Sequence, residues 1–188
     1  MNGNEIKVWD PLLRLFHWLL AGAFFVAYLT EDEWLTPHVW AGYLILGLLA
    51  FRIPWGFAGP RHARFSDFVA PPRAALAYLK DLFQGKARRY LGHNPAGGWM
   101  IVLLLSSVAL TCITGLMVYA AEDQAGPLAG WLGNVGEGWE EIFEETHEVL
   151  ANFSLALVFV HLGGVLVESL LHHENLVRAM ITGYKRRS

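Results

Sequence analysis

Cysteine is nearly absent: Cys112 is the only one in 188 residues. One thiol excludes an internal disulfide and any metal cluster held by several cysteines, and no CxxCH run exists to anchor a c-type haem covalently. Charge is also scarce. Asp, Glu, Lys and Arg make up 16% of the chain against 54% hydrophobic residues, and mean hydropathy is +0.35. A soluble domain carries about 25% charged residues, so the composition points to lipid rather than water as the main solvent. A formal net charge of -3 leaves no footprint for nucleic acid. No internal repeat or low-complexity tract interrupts the sequence. No small-residue cleavage site follows the first apolar run, which is expected to remain as a helix rather than leave as a signal peptide.

What the chain does have is four long apolar stretches, roughly residues 11–30, 37–57, 97–121 and 149–171. At the helical rise each covers about 30 Å or more, enough to cross a hydrocarbon core. Thr36 and Pro37 read as an N-cap and first helical residue for the second stretch. Eight Trp within a 13% aromatic share suit side chains at membrane interfaces. The expected fold is therefore all-α: one membrane domain over residues 1–188, built as a four-helix bundle.

The connections predict orientation. Glu31, Asp32 and Glu33 join the first two stretches. Glu122, Asp123, Glu137, Glu140, Glu141, Glu144, Glu145 and Glu148 lie between the third stretch and the body of the fourth. Neither connection holds a Lys or Arg; all 14 basic residues fall at the start, between Arg52 and Arg89, or in the tail. Basic segments stay on the cytoplasmic side, so both termini and the middle loop are expected there. Within that loop, PPRAALAYLKDLF has apolar residues at helical spacing with charges between, and predicts a short amphipathic helix on the inner membrane surface.

Four of the eight histidines, His17, His38, His147 and His161, sit in or at the rim of the apolar stretches. One such imidazole is readily explained as a polar side chain bonded to a neighbouring helix. Four are a different matter, because polar groups at membrane depth are costly and need a partner or a task. Imidazole is also the side chain that ligates haem iron axially. His147 and His161 are fourteen residues apart, so they return to within about 40° on one helix face, about 21 Å apart along the axis. His38 opens the second helix level with His147, and His17 lies level with His161. Depth alone thus pairs His38 with His147 and His17 with His161, giving two bis-histidine sites, one near each membrane face. Arg14, three residues before His17, and Arg52, fourteen after His38, are suited to pairing with haem propionates. Snorkelling as topology anchors is the other reading of both arginines. His62, His93, His172 and His173 fall in cytoplasmic segments, where solvated loop residues are the default.

WDPLLRLFHW around His17, HVWAGY at His38, RIPWGFAGPRHARFSDF, YLGHNPAGG, THEVLANFSLALVFVHLGG and ENLVRAMITGYKR together resemble the bacterial cytochrome b-561 family. That family includes the b-type subunits of nickel-iron hydrogenases and of a formate dehydrogenase. The resemblance covers nearly the whole chain and implies a diheme cytochrome b of the bacterial inner membrane. It implies two haem b groups ligated by His17, His38, His147 and His161, and electron exchange with a quinone near the inner haem. Asn94 and Gly97 match positions that help to bind quinone in the formate dehydrogenase subunit, with His93 beside them. A Gly-rich turn capped by Asn94 and Pro95 is the plainer reading of GHNPAGG.

A haem near each face makes a two-step electron relay. The acidic outer connections would steer a cationic protein, so the expected partner is a periplasmic c-type cytochrome or another basic redox subunit. Two other roles share the same framework: a membrane-anchor subunit of a periplasmic dehydrogenase or hydrogenase, and a superoxide:quinone oxidoreductase. From a different class, a haem-free bundle or metal carrier would use the same histidines. Cys112 reads as packing, and Gly115 as a point of close helix or haem approach.

Overall fold

The computed structural model describes residues 5–31 and 34–187; Asp32 and Glu33 of the first acidic connection lie outside the described residues. The elements run β1 (Glu5–Lys7), α1 (Pro11–Leu29), α2 (Leu35–Ala58), a 3-10 turn (Arg61–Ala63), α3 (Phe65–Phe68), α4 (Pro72–Phe83), α5 (Pro95–Ala121), α6 (Ala129–Leu132), α7 (Glu137–Leu171), α8 (Leu176–Thr182) and β2 (Tyr184–Arg186). Four of these, α1, α2, α5 and α7, are long and apolar enough to cross a membrane. Their outward faces carry large apolar side chains in the open: Trp40 is 69% exposed, Phe159 63% and Leu166 60%. A protein surrounded by water rarely presents so continuous an apolar surface. The chain is a helical, multi-pass membrane protein.

Two helix starts differ from the sequence reading. α2 begins at Leu35, so Thr36 and Pro37 fall inside its first turn, where proline's missing N–H is not needed. α7 begins at Glu137, twelve residues before the apolar stretch, because its acidic stretch is itself helical. A third difference is the two-stranded antiparallel ribbon, which pairs Ile6 with Lys185.

Described residues up to Ala21, together with Ala50–Val102 and Phe159 onward, form one compact unit. In this unit Asp10 caps α1, its Oδ1 accepting from the Leu12 and Leu13 N–H groups at 3.0 Å each, and Pro11 follows at a position suited to it. Asn175 caps α8 by accepting from the Arg178 N–H at 2.7 Å. Gly183 closes the same helix at φ 90°, a left-handed turn that favours glycine. Its carbonyl then accepts from the Val8 and Trp9 N–H groups. The carbonyl of Phe68 would lie 2.2 Å from a Cβ at Gly98, so only glycine lets α5 start this close to the preceding loop. The tail is clamped from within: Lys185 Nζ donates to the Tyr90 and Leu91 carbonyls at 3.1 Å each and pairs with Glu174 at 3.3 Å.

The second unit comprises Gly22–Leu49 and Leu103–Val158. Its small polar residues face inward and satisfy one another. Ser154, fully buried, lies 2.6 Å from Ser107 and 3.2 Å from Thr111, and Tyr28 donates to Asn152 at 2.7 Å. Such hydrogen bonds between helices replace the water that lipid cannot supply.

The tail clamp gives a test. Burial alone would raise the Glu174 carboxyl, but its bonds to Arg89 and Lys185 hold it below the ordinary glutamate value. A lowered native value means that the clamp stabilises fully above the ordinary glutamate range and is lost as pH falls through the native value. Lys185→Met removes one of the two cations on Glu174 and leaves Arg89 in place, so it is expected to cost about 1.5–3 kcal/mol, read as a lower thermal midpoint in detergent. An unchanged midpoint would mean that the tail contributes nothing to the fold.

Candidate functional site

The second unit brings His38 and His147 together, with ring centres 6.0 Å apart at an interplanar angle of 80°. Backbone carbonyls orient each ring. His38 Nδ1–H donates to the Ala27 carbonyl at 2.9 Å, and His147 Nδ1–H donates to the Thr111 carbonyl at 2.9 Å. A carbonyl oxygen only accepts, so each Nδ1 carries the proton and each neutral ring keeps its lone pair on Nε2. This is the hydrogen bond that metal-bound imidazoles make on their far side. The rings border a cavity of about 700 Å³, counting its open mouth, whose other walls include Gly42, Cys112, Gly115 and Tyr119. Gly115 leaves the room: a Cβ there would stand 2.8 Å from His147 Cε1.

The first unit brings His17 and His161 together, with ring centres 6.5 Å apart at 53°. His17 Nδ1 is buried without a partner. Arg52 is only 3% exposed; its Nη2 donates to the Ala63 carbonyl at 3.0 Å, while its Nη1 has no partner. The guanidinium lies 4.6 Å from the Phe65 ring centre and 6.0 Å from that of Phe16. Arg14 donates through Nη1 to the Ile181 carbonyl, and its Nε is likewise buried and unpartnered. Two arginines with spare buried donors fit carboxylate ligands better than topology anchoring, which would carry them to water. Trp55 Nε1, three residues after Arg52, is a further orphan donor that composition gave no reason to single out.

The loop before α5 departs from the solvated-loop reading of its histidine. His93 lies between Trp9 and Phe68, with ring centres 4.6 and 4.9 Å away, and its Nδ1 has no partner. Burial, reinforced by nearby cations including Lys185 and Arg52, pulls its pKa down to about 3, so the ring is neutral at any physiological pH. Asn94 Oδ1 accepts from the Gly97 N–H at 2.7 Å, so the side chain caps α5. His62 donates from Nδ1 to Asp67 at 2.8 Å. His172 is tucked away too, near Glu168. Glu168 and its donor Tyr78 escaped the sequence reading, although one signal was available: Glu168 is a lone acid seven residues after His161 in an otherwise apolar run.

A helical membrane bundle that points imidazoles at one another from different helices belongs to the class of b-type cytochromes. The chain is a member of the prokaryotic cytochrome b561 family, which it matches over residues 8–183. It is 25% identical to a probable Ni/Fe-hydrogenase B-type cytochrome subunit of Cupriavidus necator, over 98% of this chain and 89% of that protein. It is 24% identical to the protein of the same description in Azotobacter vinelandii, over 97% and 89%. No solved structure matches it. Membership makes the chain a membrane electron-transfer protein that carries haem b.

The residues fit that group. An imidazole nitrogen binds a first-row metal at about 2 Å and its ring centre lies about 1 Å beyond, so rings on opposite sides of one metal stand about 6 Å apart. The two pairs, at 6.0 and 6.5 Å, have that spacing. Gly115→Leu is expected to drive His147 off its Thr111 carbonyl and lower haem content per chain, measured by the pyridine haemochrome assay. Full haem content in a folded variant would show that the close approach is dispensable.

Proposed function

We propose that the chain is a single membrane domain holding two haem b groups, one between His17 and His161 and one between His38 and His147. It would carry electrons between a membrane quinone on the cytoplasmic side and a redox partner on the periplasmic side of the bacterial inner membrane. The observation that carries this reading is the paired imidazoles, two of them already set in the metal-binding tautomer by backbone carbonyls. Bound haem supplies a one-electron iron couple. The chain's own residues hold it, orient it and set its surroundings: Arg14 and Arg52 are the donors available to propionates near His17, and Gly115 makes space beside His147.

Orientation follows from the charges. Both termini and the basic middle segment are cytoplasmic on the positive-inside rule. α4 supports this placement: it buries Ala75 and Tyr78 inward while Leu76 and Phe83 stay 69% and 88% exposed, an outer apolar stripe suited to the membrane surface. Quinone reaction is assigned to the His17/His161 side. Neutral, unpartnered His93 is the group there best able to bond a quinone oxygen, whereas Gly97's N–H is already taken by Asn94. In the second unit, Glu137, Glu141, Glu144, Glu145 and Glu148 stand exposed along the start of α7, a face for a basic periplasmic protein such as a c-type cytochrome. An acidic mouth repels superoxide, which argues against that substrate.

A second reading has its own support. The relatives named above are described as hydrogenase cytochrome subunits, so this chain would anchor a large periplasmic redox enzyme instead of serving a free carrier. A co-purifying metalloenzyme under mild detergent would select it; a chain isolated alone, with electron exchange to a basic cytochrome that weakens as salt rises, would select the shuttle.

Purified protein should contain two haems per chain. His161→Ala and His147→Ala should each leave one, and only His161→Ala should abolish haem reduction by quinol. Wild type with a single haem, or His161→Ala retaining both, would defeat the assignment.

A further inference from the structure

Tyr78, Glu168 and His172 form a buried polar group that the electron path does not use. Tyr78 is 5% exposed, and the side chains of Glu168 and His172 are 15% and 13% exposed. The Tyr78 hydroxyl donates to Glu168 Oε1. Burial first, and then the adjacent carboxylate, push the phenol's pKa up from its ordinary value, so it stays a donor. On the other side of the carboxylate, His172 Nε2 stands 3.4 Å from Oε2 but is not aligned to hydrogen bond, and it has no other partner. One carboxyl oxygen is therefore held and the other faces an imidazole across a gap.

Its place on α7 gives this a consequence. Glu168 follows His161 by two turns on the same helix face, about 10 Å along the axis. An electron arriving on a metal held by His161 adds negative charge beside a carboxylate shielded from water. At that separation and an effective dielectric of about 20, the interaction changes proton affinity by about ten-fold. The other titratable or charged groups facing Glu168 come from several elements. Tyr78 lies on α4 and Lys185 on the tail; behind them stand Tyr90, against Tyr78 on the loop before α5, and Glu174 with Arg89 and Arg186. Of these Glu174 is committed to ion pairs with Arg89 and Lys185. Arg186 donates to the His172 and His173 carbonyls.

We propose that Glu168 is the redox-linked proton site of this half of the protein, with Tyr78 as its positioning residue and His172 as its link to water. The inference rests on haem being held by His17 and His161. When one electron converts the ferric iron to ferrous, one proton from the cytoplasmic water passes His172 and forms an O–H on Glu168 Oε2. On oxidation that bond breaks and the proton returns. The electron comes from the quinol or redox partner of the proposed function, which is oxidised in the same step, and the proton cancels the charge added to the buried region. A quinone couple, which exchanges protons as well as electrons, is the class of reactant that gains from a proton held ready beside the haem.

The test is an equilibrium redox titration, followed spectroscopically in detergent between about pH 5 and 9. Because protonation favours the reduced form, the wild-type midpoint potential of this haem should fall as pH rises. Glu168→Gln, with the same shape and no titration, should flatten that dependence. Tyr78→Phe, which spares the carboxylate, should keep it but displace it along the pH axis. An identical slope in wild type and Glu168→Gln overturns the proposal. So does a slope that survives Glu168→Gln but vanishes in His172→Gln, since the proton would then sit on the imidazole. If His161→Ala removes no haem, the reading beneath the proposal is what fails.

Discussion

Hydrocarbon offers no water to satisfy a polar group, and this constraint organises the whole chain. An imidazole inside an apolar helix costs several kcal/mol unless something bonds to it. His38 and His147 meet half of that demand with the backbone carbonyls of Ala27, in the last turn of α1, and of Thr111, within α5. The other half, the Nε2 lone pair, is left to whatever the site binds, and the two ring centres stand 6.0 Å apart. The same logic explains the serine and threonine ladder of Ser107, Thr111 and Ser154, where the demand is met entirely within the protein. Satisfied polar groups are structure; groups satisfied on one side only mark a site.

The first unit shows that principle in a wetter setting. Orphan donors gather there: Arg14 Nε, His17 Nδ1, Arg52 Nη1, Trp55 Nε1 and His93 Nδ1. Other charges of the same unit pair with one another, as do Arg89, Glu174 and Lys185. The contrast separates a clamp that fixes the chain from a cluster of polar atoms with no partner in the protein. Lys185 joins the two, since the carbonyls it holds belong to Tyr90 and Leu91, immediately ahead of His93. The tail thereby sets the position of a residue that composition alone would leave in a solvated loop.

Much of this was legible from the sequence because membrane helices announce themselves by length and charge asymmetry. The four helices, the amphipathic α4 and the partner of each core histidine follow from rise per residue and depth. What was not legible depended on contacts distant in sequence. The ribbon of Glu5–Lys7 with Tyr184–Arg186 is too short to show an alternating pattern. The burial of His93 is set by Trp9 and Phe68, which lie far from it in the chain. Glu168 went unread, because the bond that buries it comes from Tyr78, ninety residues away. Asn94, by contrast, behaves as the plain reading of its turn required, as a cap for α5.

The acidic start of α7 remains to be explained in energetic terms. Glu137, Glu141, Glu144 and Glu148 recur at three- and four-residue spacing on a continuous helix, where like charges repel and weaken it by a few tenths of a kcal/mol per pair. Their field reaches beyond the helix: burial first, then Glu144, Asp123 and Glu140, raise the pKa of Glu122 above the ordinary value. A raised carboxyl is a stability loss that grows as pH climbs through its native value, so this end of the protein is least favoured where its charge is fullest. Topology explains the lack of Lys and Arg here, but uncharged residues would serve topology equally well. Negative charge concentrated at a cost to the fold, in the same unit as the histidine pair His38 and His147, makes a field there that attracts cations and repels anions.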